Sequence, residues 1–342
     1  MPKPTLCILS QHRTDNHPSE FLTHDFNVQS NPSVTLTSYG VNSNIDGVLK
    51  FDSRVGLDSE LEHLCDLGII PSTGICRTGK TTQTVLLQSL GIKTPRTLGA
   101  CLGERMSPLR LFKGIVKQTK EYVVKDDLGA GGCNQMIITG KEFSNMFLAI
   151  CKGDNVSNEK LEDKGMQLGK TSQYGKKKET VTGNFRNGAI TIQEKIDVQD
   201  EWRVLWFAHG HAIIVDRPVG VDGHWQSNVD TSAESIEERS VDTVDQRTRR
   251  DILATITALV EKLNAPWLSI DVYRDSDGKY GIFEFQMEYA TNSIPSMLST
   301  IQLNTVNSVK LKLGLPVSEC PRVISSTSKI SNDDIALAEL PG

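Results

Sequence analysis

The sequence is short of several things, and each shortage excludes a class of protein. It has no CxxC pair. Its seven cysteines, at 7, 65, 76, 101, 133, 151 and 320, are scattered and odd in number. That argues against a disulfide framework or a zinc ribbon and suits a reducing compartment, so a cytoplasmic location is expected. No apolar run approaches membrane-spanning length, so no membrane partner is expected. The opening MPKPTLCILSQHR has an apolar stretch too short for a signal peptide, and a strand is expected there. Positive charge is not in excess: 37 Lys and Arg stand against 42 Asp and Glu, a net charge of -5. A generic nucleic-acid binder needs the opposite balance to neutralise phosphates, so no nucleic-acid partner is indicated. There is no internal repeat. What remains is 38% hydrophobic and 23% charged over 342 residues, a soluble globular chain with room for two or three domains.

One motif stands out. GICRTGKTT, residues 74–82, satisfies the phosphate-loop pattern G-x-x-x-x-G-K-[ST] through Gly74, Gly79, Lys80 and Thr81. A true phosphate loop follows a buried strand and opens a helix whose N-terminus faces the phosphates. Upstream, HLCDLGIIPST offers only Ile69 and Ile70, and Pro71 breaks the run. Downstream, TTQTVLLQSLG reads as a helix from Thr81 to Leu90 with Gly91 ending it. Half the context fits, so a second nucleotide site is sought elsewhere.

The chain divides into an N-terminal unit over 1–92, a second over 93–189, a third over 190–315 and a polar tail over 316–342. In the first, TLCILS is an expected strand and ELEHLCDLG an expected helix. GIKTPRTLG is an expected linker, broken by Gly91 and Pro95. In the second, SPLRLFKGIVKQ and EFSNMFLAIC are expected helices, and EYVVKDD and NQMIIT expected strands around an LGAGG loop. Residues 152–188 are polar and rich in Lys and Gly, an expected lid or a solvated insertion. In the third, ITIQEKI is an expected strand and RVLWFA-HGH-AIIVDR an expected hairpin, with His209 and His211 an exposed pair at its turn. RRDILATITALVEKLNAP is an amphipathic helix, with Ile252, Ile256, Leu259, Val260 and Leu263 at helical spacing. LSIDVYR-DSDG-YGIFEFQME is a second hairpin. The KKK at 176–178 and the RTRR at 247–250 read as solvated charge.

Chemistry concentrates in three places. Side chains alternate across a strand. Ser269, Asp271 and Tyr273 therefore share one face, as do Glu284, Gln286 and Glu288, while Phe283, Phe285 and Met287 share the other. The polar faces bring Asp271 and Glu284 together. Two adjacent carboxylates repel unless a cation lies between them, and with no cross-strand cation foreseen the pair points to Mg²⁺. Lys125 ends a hydrophobic strand just before Gly129, Gly131 and Gly132, a loop whose amides could close over phosphates. Gln193 and Glu194 end a strand beside an acid and two arginines. These are Glu201, Arg203 and Arg217, with the arginines expected at opposite ends of one hairpin. Arginine suits developing phosphoryl charge.

In this order the pieces resemble the ATP-grasp superfamily, nearest to the branch of glutathione synthetase and the ribosomal-protein glutamate ligases. The resemblance covers roughly residues 75–295. It rests on Lys80 before GIKTPRT, on VVKDDLGAGG, on the Gln193-Glu194 hinge, on EWRVLWF with DRP, and on LSIDV…FEFQ. It implies an α+β or α/β chain. An N-terminal α/β domain would precede two α+β subdomains that clasp ATP between antiparallel sheets. It implies that Lys80 and Lys125 are the two ATP lysines, that Gly129, Gly131 and Gly132 cover the phosphates, and that Gln193, Glu194, Lys195 and Ile196 form the adenine hinge. Glu201 would be the ribose-binding acid, and Asp271, Glu284 and Gln286 ligands of Mg²⁺ or Mn²⁺. Arg203 and Arg217 would steady the transferred phosphate. Gln286 departs from the family's usual Asn, with Asn292 further along, and Asn228 lies where some peptide ligases carry an active-site Asn.

The implied activity is ATP-dependent joining of a small-molecule or peptide carboxylate to an amine through an acyl phosphate, with ADP and phosphate released. A homo-oligomer is a further expectation of the resemblance. Three alternatives stay open: a phosphate-loop NTPase using Lys80, an ATP-grasp kinase acting on a hydroxyl, and a nucleotide-binding protein without catalysis.

Overall fold

The computed structural model describes residues 2–9, 19–30, 36–37, 40–41, 45–50, 59–75, 78–101, 116–127, 135–142, 167–168, 189–217, 219, 241–287 and 294–317. The expected glycine loop, most of the expected helices at 107–118 and 142–151, nearly all of 152–188, Cys133, Asn228, Asn292 and the tail beyond 317 lie outside these residues.

The first strand is β1, Thr5–Leu9. After α1 (Ser19–Leu22) come β2 (Asn27–Ser30), the two-residue pair β3 (Leu36–Thr37) and β4 (Gly40–Val41), and β5 (Gly47–Lys50). Helix α2 (Ser59–Asp66) and β6 (Ser72–Gly74) complete a parallel sheet of order β2-β1-β5-β6. β1 is apolar and buried from Leu6 to Leu9 because both its faces are covered there. Leu6 and Ile8 join the main core, while Cys7 and Leu9 pack with Leu61, Leu64 and Cys65 of α2.

Helix α3, Lys80–Ser89, leads into the middle sheet. That sheet is built from β7 (Thr97–Cys101), β8 (Glu121–Asp126), β9 (Gln135–Thr139), β10 (Gln167–Leu168) and β11 (Ala189–Glu194). Its order is β10-β9-β8-β11-β7, antiparallel throughout. Two expectations change here. The end of the linker is strand β7. The strand expected to head the third unit, β11, pairs instead with β8 and β7. Its alternation explains this, since Ile190 and Ile192 are buried with Tyr122 and Val124 of its neighbour.

The third sheet holds β12 (Val198–Phe207), β13 (Ala212–Arg217), β14 (Trp267–Asp275) and β15 (Tyr280–Gln286), with helix α4 (Gln246–Leu263) between β13 and β14. Its order is β13-β12-β14-β15. One face buries Trp202, Val204, Ile270, Val272, Ile282 and Phe285 in the same core as Ile252, Ile256, Leu259 and Val260 of α4. Asp245 caps α4 by accepting from the Arg247 and Thr248 amides, at 2.9 and 3.0 Å. The outer edge of β15 is not left open. The Phe285 amide donates to the Gln83 side chain of α3 at 3.0 Å, and the Ile282 amide to the Lys93 carbonyl at 2.9 Å.

A β-bulge interrupts β14–β15 between Asp271 and Val272, whose partners are Glu284 and Ile282. Phe283 is the extra residue. It therefore leaves the apolar face expected for it, and its ring lies 4.4 Å from that of Tyr273 on the polar side.

The last helix, α5 (Leu298–Lys312), ties the ends of the chain together. Lys310 pairs with Asp25 at 2.7 Å, and the β12–β13 turn rests on the helix. At that turn Gly210 takes a left-handed φ of 87°. His209 and His211 are not the exposed pair expected, because α5 covers the turn. Nε2 of His209 donates to Asn304 at 2.8 Å, and its Nδ1 accepts from the Ser308 hydroxyl at 3.0 Å. Both ring nitrogens are engaged, so the pair does not form a metal site. No helix among the described residues is long and apolar enough to cross a membrane.

Two outcomes follow. Ile256→Ala removes a fully packed side chain from the α4 seam, and a loss of about 3 kcal/mol is expected from urea unfolding. Burial pushes the His209 and His211 imidazoles below their ordinary value of 6.5. The unfolded chain then binds protons first. Stability is at its full value above about pH 6.5 and falls as the pH drops towards the depressed folded values. Unfolding midpoints between about pH 7 and 5.5 should decline, and His209→Gln should flatten that decline.

Candidate functional site

The polar face of the third sheet carries a row of charges set by register. Arg203 of β12 lies opposite Asp271 of β14, and Asp271 lies opposite Glu284 of β15. One step along, Glu201 of β12 lies opposite Arg217 of β13. The two arginines are thus neighbours, not at opposite ends of their hairpin. Arg203 grips Asp271 with two hydrogen bonds, Nε to Oδ1 at 2.8 Å and Nη2 to Oδ2 at 3.0 Å. Arg217 donates to Asp271 Oδ2 at 2.8 Å and to Glu201 at 2.7 Å. The acid pair therefore has the cross-strand cations that the sequence had not suggested, and its charge does not by itself demand a metal.

This network is buried. Asp271 and Arg217 are each 5% exposed. Burial would raise the Asp271 carboxyl, but the guanidiniums of Arg203 and Arg217 outweigh it and hold the group well below the usual carboxylate range. Burial works against the Arg203 charge too, and Asp271 more than restores it.

Two lysines complete the cluster from other elements. Lys80 is the first residue of α3, is buried, and lies 3.9 Å from Glu284. Lys125, on β8, sits with its ammonium 5.7 Å from the centre of the Phe283 ring. Burial pushes the Lys125 ammonium below its ordinary value, opposed by Glu284 and reinforced by the nearby Lys80 charge. Formally, Lys80, Lys125, Arg203 and Arg217 face Glu201, Asp271 and Glu284. Glu194, Lys195 and Asp197 stand at the same site, so five positive groups meet five negative ones and neither sign is in excess.

A cavity of about 230 Å³ opens between the middle and third sheets. Pro95, Val123, Lys125 and Gln135 line one side, the segment from Gln193 to Val198 the back, and Glu201, Arg217, Val219, Asp271, Phe283 and Glu284 the other. Its back wall is held at several points. The Glu194 and Lys195 amides donate to the Arg96 and Glu121 carbonyls, each at 2.9 Å. The Gln193 side chain donates to Thr97 at 3.1 Å. Lys120 pairs with Glu194 and Lys195 with Glu121, each at 2.7 Å. Ile196, past the strand end, makes no backbone hydrogen bond among the described residues.

The N-terminus of α3 answers the phosphate-loop question. Gly79 stands at the cap position without a side-chain bond of its own. A carboxylate from another element fills the place: Oδ1 of Asp127 accepts from the Thr81 amide at 2.9 Å and from the Thr191 hydroxyl at 2.5 Å. The Lys80 amide donates to the Asp127 carbonyl at 3.0 Å. A Cβ on Gly79 would stand 1.8 Å from Asp127 Oδ2, so the position needs glycine. The Lys80 and Thr81 amides that a phosphate would use are therefore taken, which argues against a phosphate loop here; Cys76 and Arg77 of GICRTGKTT lie outside the described residues.

Among the expected site residues, Lys80, Lys125, Gln193, Glu194, Lys195, Ile196, Glu201, Arg203, Arg217, Asp271 and Glu284 gather at or beside this cavity. Gln286 lies on the Glu284 face, opposite Ser269. Gly129, Gly131 and Gly132 lie outside the described residues. Sequence reasoning missed Asp127 and Thr191, and it put Phe283 on the apolar face. The helix start without its own capping side chain was the signal for Asp127. No group of three or more His, Cys, Asp or Glu converges among the described residues. Two carboxylates and an amide, with Glu284 the more open acid, still fit a hard cation that takes the rest of its ligands from phosphate.

No family model matches the sequence, and no curated protein matches it. Solved structures do. A D-alanyl-alanine synthetase A from Vibrio cholerae has 13% identity and a TM-score of 0.55, over 92% of this chain and 99% of that one. A D-alanine–D-alanine ligase from Bacillus anthracis, complexed with ATP, has 14% identity and a TM-score of 0.53, over 92% and 97%. An N5-carboxyaminoimidazole synthetase from Staphylococcus aureus, complexed with ADP, has 10% identity and a TM-score of 0.54, over 92% and 79%. Likeness at this level of identity speaks to architecture, and with the parallel N-terminal sheet and the two antiparallel sheets around one cavity it is decisive: the chain has the ATP-grasp fold.

Proposed function

We propose that the chain is an ATP-dependent carboxylate–amine ligase. The observation that carries the reading is the convergence of Lys80, Lys125, Arg203 and Arg217 at or beside one cavity. The ATP and ADP named for the structural neighbours lend it support. The order of the sequence motifs adds the narrower likeness to glutathione synthetase.

In this reading the adenine lies against the Gln193 to Ile196 segment, where the Ile196 backbone is open. Glu201 meets the ribose, and Lys80 and Lys125 meet the phosphates. Glu284, with Gln286 and Asp271 beside it, would hold Mg²⁺. That ion, when bound, supplies positive charge to the transferring phosphoryl group. A substrate carboxylate oxygen attacks the γ-phosphorus, the bridging P–O bond breaks, and ADP leaves with the electron pair. The amine then attacks the acyl carbon, phosphate departs, and the nitrogen loses a proton. Arg203 and Arg217 stand ready to follow the charge of the transferred group, since both already bind oxyanions in the sheet. No side chain need act as a nucleophile.

A nucleotide-binding protein without turnover is the second reading. Gln286 favours it, because its amide stands one methylene further from the strand than the family's Asn.

The first test is thermal stability with and without Mg-ATP. Ligand at about a hundred times its dissociation constant should add roughly 2.7 kcal/mol. Lys125→Met and Lys80→Met should each abolish most of the shift; a full shift in Lys125→Met would sink the reading. A second test separates the arginines from the lysines. Arg217→Met leaves Asp271 and Glu201 short of a cation, and a loss of about 3 kcal/mol in stability is expected. Turnover with candidate carboxylates and amines, followed as ADP release, distinguishes the ligase from the silent alternative.

A further inference from the structure

Asp127 belongs to no part of the nucleotide reading, yet it joins the two elements that carry the lysines, α3 and β8, to β11. It stands two residues beyond Lys125 at the end of β8. Its Oδ1 accepts from the Thr81 amide of α3 and the Thr191 hydroxyl of β11. Thr191 is the cross-strand partner of Lys125. The Thr81 and Thr191 hydroxyls lie 3.2 Å apart, which closes a three-membered polar knot. The Asp127 carbonyl adds a bond from the Lys80 amide at 3.0 Å. Lys125 thus stands two residues before Asp127, and Lys80 is tied to Asp127 through its own amide and that of Thr81.

Asp127 fixes the backbone at Lys80. Lys80 is the first helical residue, where the intrahelical ladder has not begun and terminal amides need outside partners. Its own capping position, Gly79, supplies no side chain. Gly79 is bare because the Asp127 carboxylate occupies the space a Cβ would fill. The pattern G-K-T is then accounted for residue by residue. Glycine admits the carboxylate, threonine binds it, and the lysine between them is aimed by the result.

We propose that Asp127 is a positioning residue that sets the spacing of Lys80 and Lys125 for nucleotide phosphates. The proposal rests on the nucleotide reading above. Asp127 does not itself meet the phosphates in this scheme, since its acceptor oxygen is directed at α3 and β11. Its contribution to nucleotide affinity passes through Lys80.

The test is a double-mutant cycle on the full chain, with Mg-ATP affinity measured by titration calorimetry and melting temperature measured alongside. Asp127→Ala should weaken Mg-ATP binding about tenfold, whereas in a Lys80→Met background the same change should cost less than about twofold. Asp127→Asn should recover most of the affinity, because the donors are uncharged and an amide oxygen still accepts from both. A general structural role would lower the melting temperature but weaken binding by the same factor in both backgrounds. That result, or unchanged affinity in Asp127→Ala, overturns the proposal. If Asp127→Ala does not fold, Thr191→Val removes one donor to the same oxygen. It should then weaken binding about threefold in the native background and leave the Lys80→Met background unchanged. Should the folded native chain fail to bind Mg-ATP at all, the nucleotide reading falls and takes this one with it. Binding that is lost only on removing Lys80 or Lys125, and not Asp127, sinks the positioning role alone.

Discussion

The structure around the cavity depends on one buried aspartate gripped by two arginines. Asp271 sits in the middle of a four-stranded sheet, with Arg203 beside it on one strand and Glu284 on the other. A lone carboxylate there would be driven towards its neutral form by desolvation. A lone guanidinium would suffer likewise. The sheet solves both through register, because side chains two residues apart share a face and partners across the ladder stand within reach. Arg203 is matched to Asp271, and Glu201 to Arg217, whose guanidinium then reaches back to Asp271. Slipping β12 by one residue against β14 would send Glu201 and Arg203 into the apolar core against α4 and leave Asp271 without its partner. The charges therefore fix the register as firmly as the hydrophobic face does.

That arrangement bears on function through preorganisation. Buried ion pairs contribute little net stability compared with well-packed apolar groups, yet removing one partner is severe. A sheet that keeps such a row holds its arginines at fixed positions beside the cavity, the arrangement that the proposed binding of an oxyanion needs. The arginines rest on carboxylates when no other oxyanion is present, so they are already oriented when one arrives. The lysines come from outside the sheet. Lys80 arrives on α3, which packs on β15 through the Gln83–Phe285 hydrogen bond, and Lys125 on a strand of the middle sheet. The site is thus assembled from both walls of the cavity, and the spacing of those walls matters to its chemistry.

Much of this was legible in the sequence. Alternation alone placed Asp271 opposite Glu284 and turned the apolar residues of β14 towards α4. The spacing of Ile252, Ile256 and Leu259 identified that helix and its buried face. What alternation could not show was the bulge at Phe283, since an extra residue in one strand leaves the composition unchanged. Nor did the sequence show the arginines to be neighbours, although equal steps outward from the Trp206–Ala212 pair reach Glu201 and Arg217 together. Helix α5 had no apolar stripe to announce it, because Asn304, Thr305, Asn307 and Ser308 are all buried there. His209 spends its ring nitrogens on two of them, which is why a turn expected in solvent is half covered.

The phosphate-loop pattern carries the sharpest lesson. Its residues are chosen by physics that does not distinguish one anion from another. A helix N-terminus presents unpaired amides and the positive end of the helix dipole, a glycine lets the anion approach, and a hydroxyl beside it adds a bond. A phosphate satisfies those groups, and so does a carboxylate borrowed from the end of a neighbouring strand. The pattern alone therefore cannot say whether the anion is a ligand or a part of the chain. Context can: a free phosphate needs a cradle that stays open until it binds, whereas Asp127 is tethered two residues from Lys125 and cannot leave. Once the carboxylate is built in, the lysine of the motif is released from serving the helix end. It points instead towards Glu284, across the cavity. The same three letters that would make a phosphate loop here become the device that carries a lysine towards Glu284 instead.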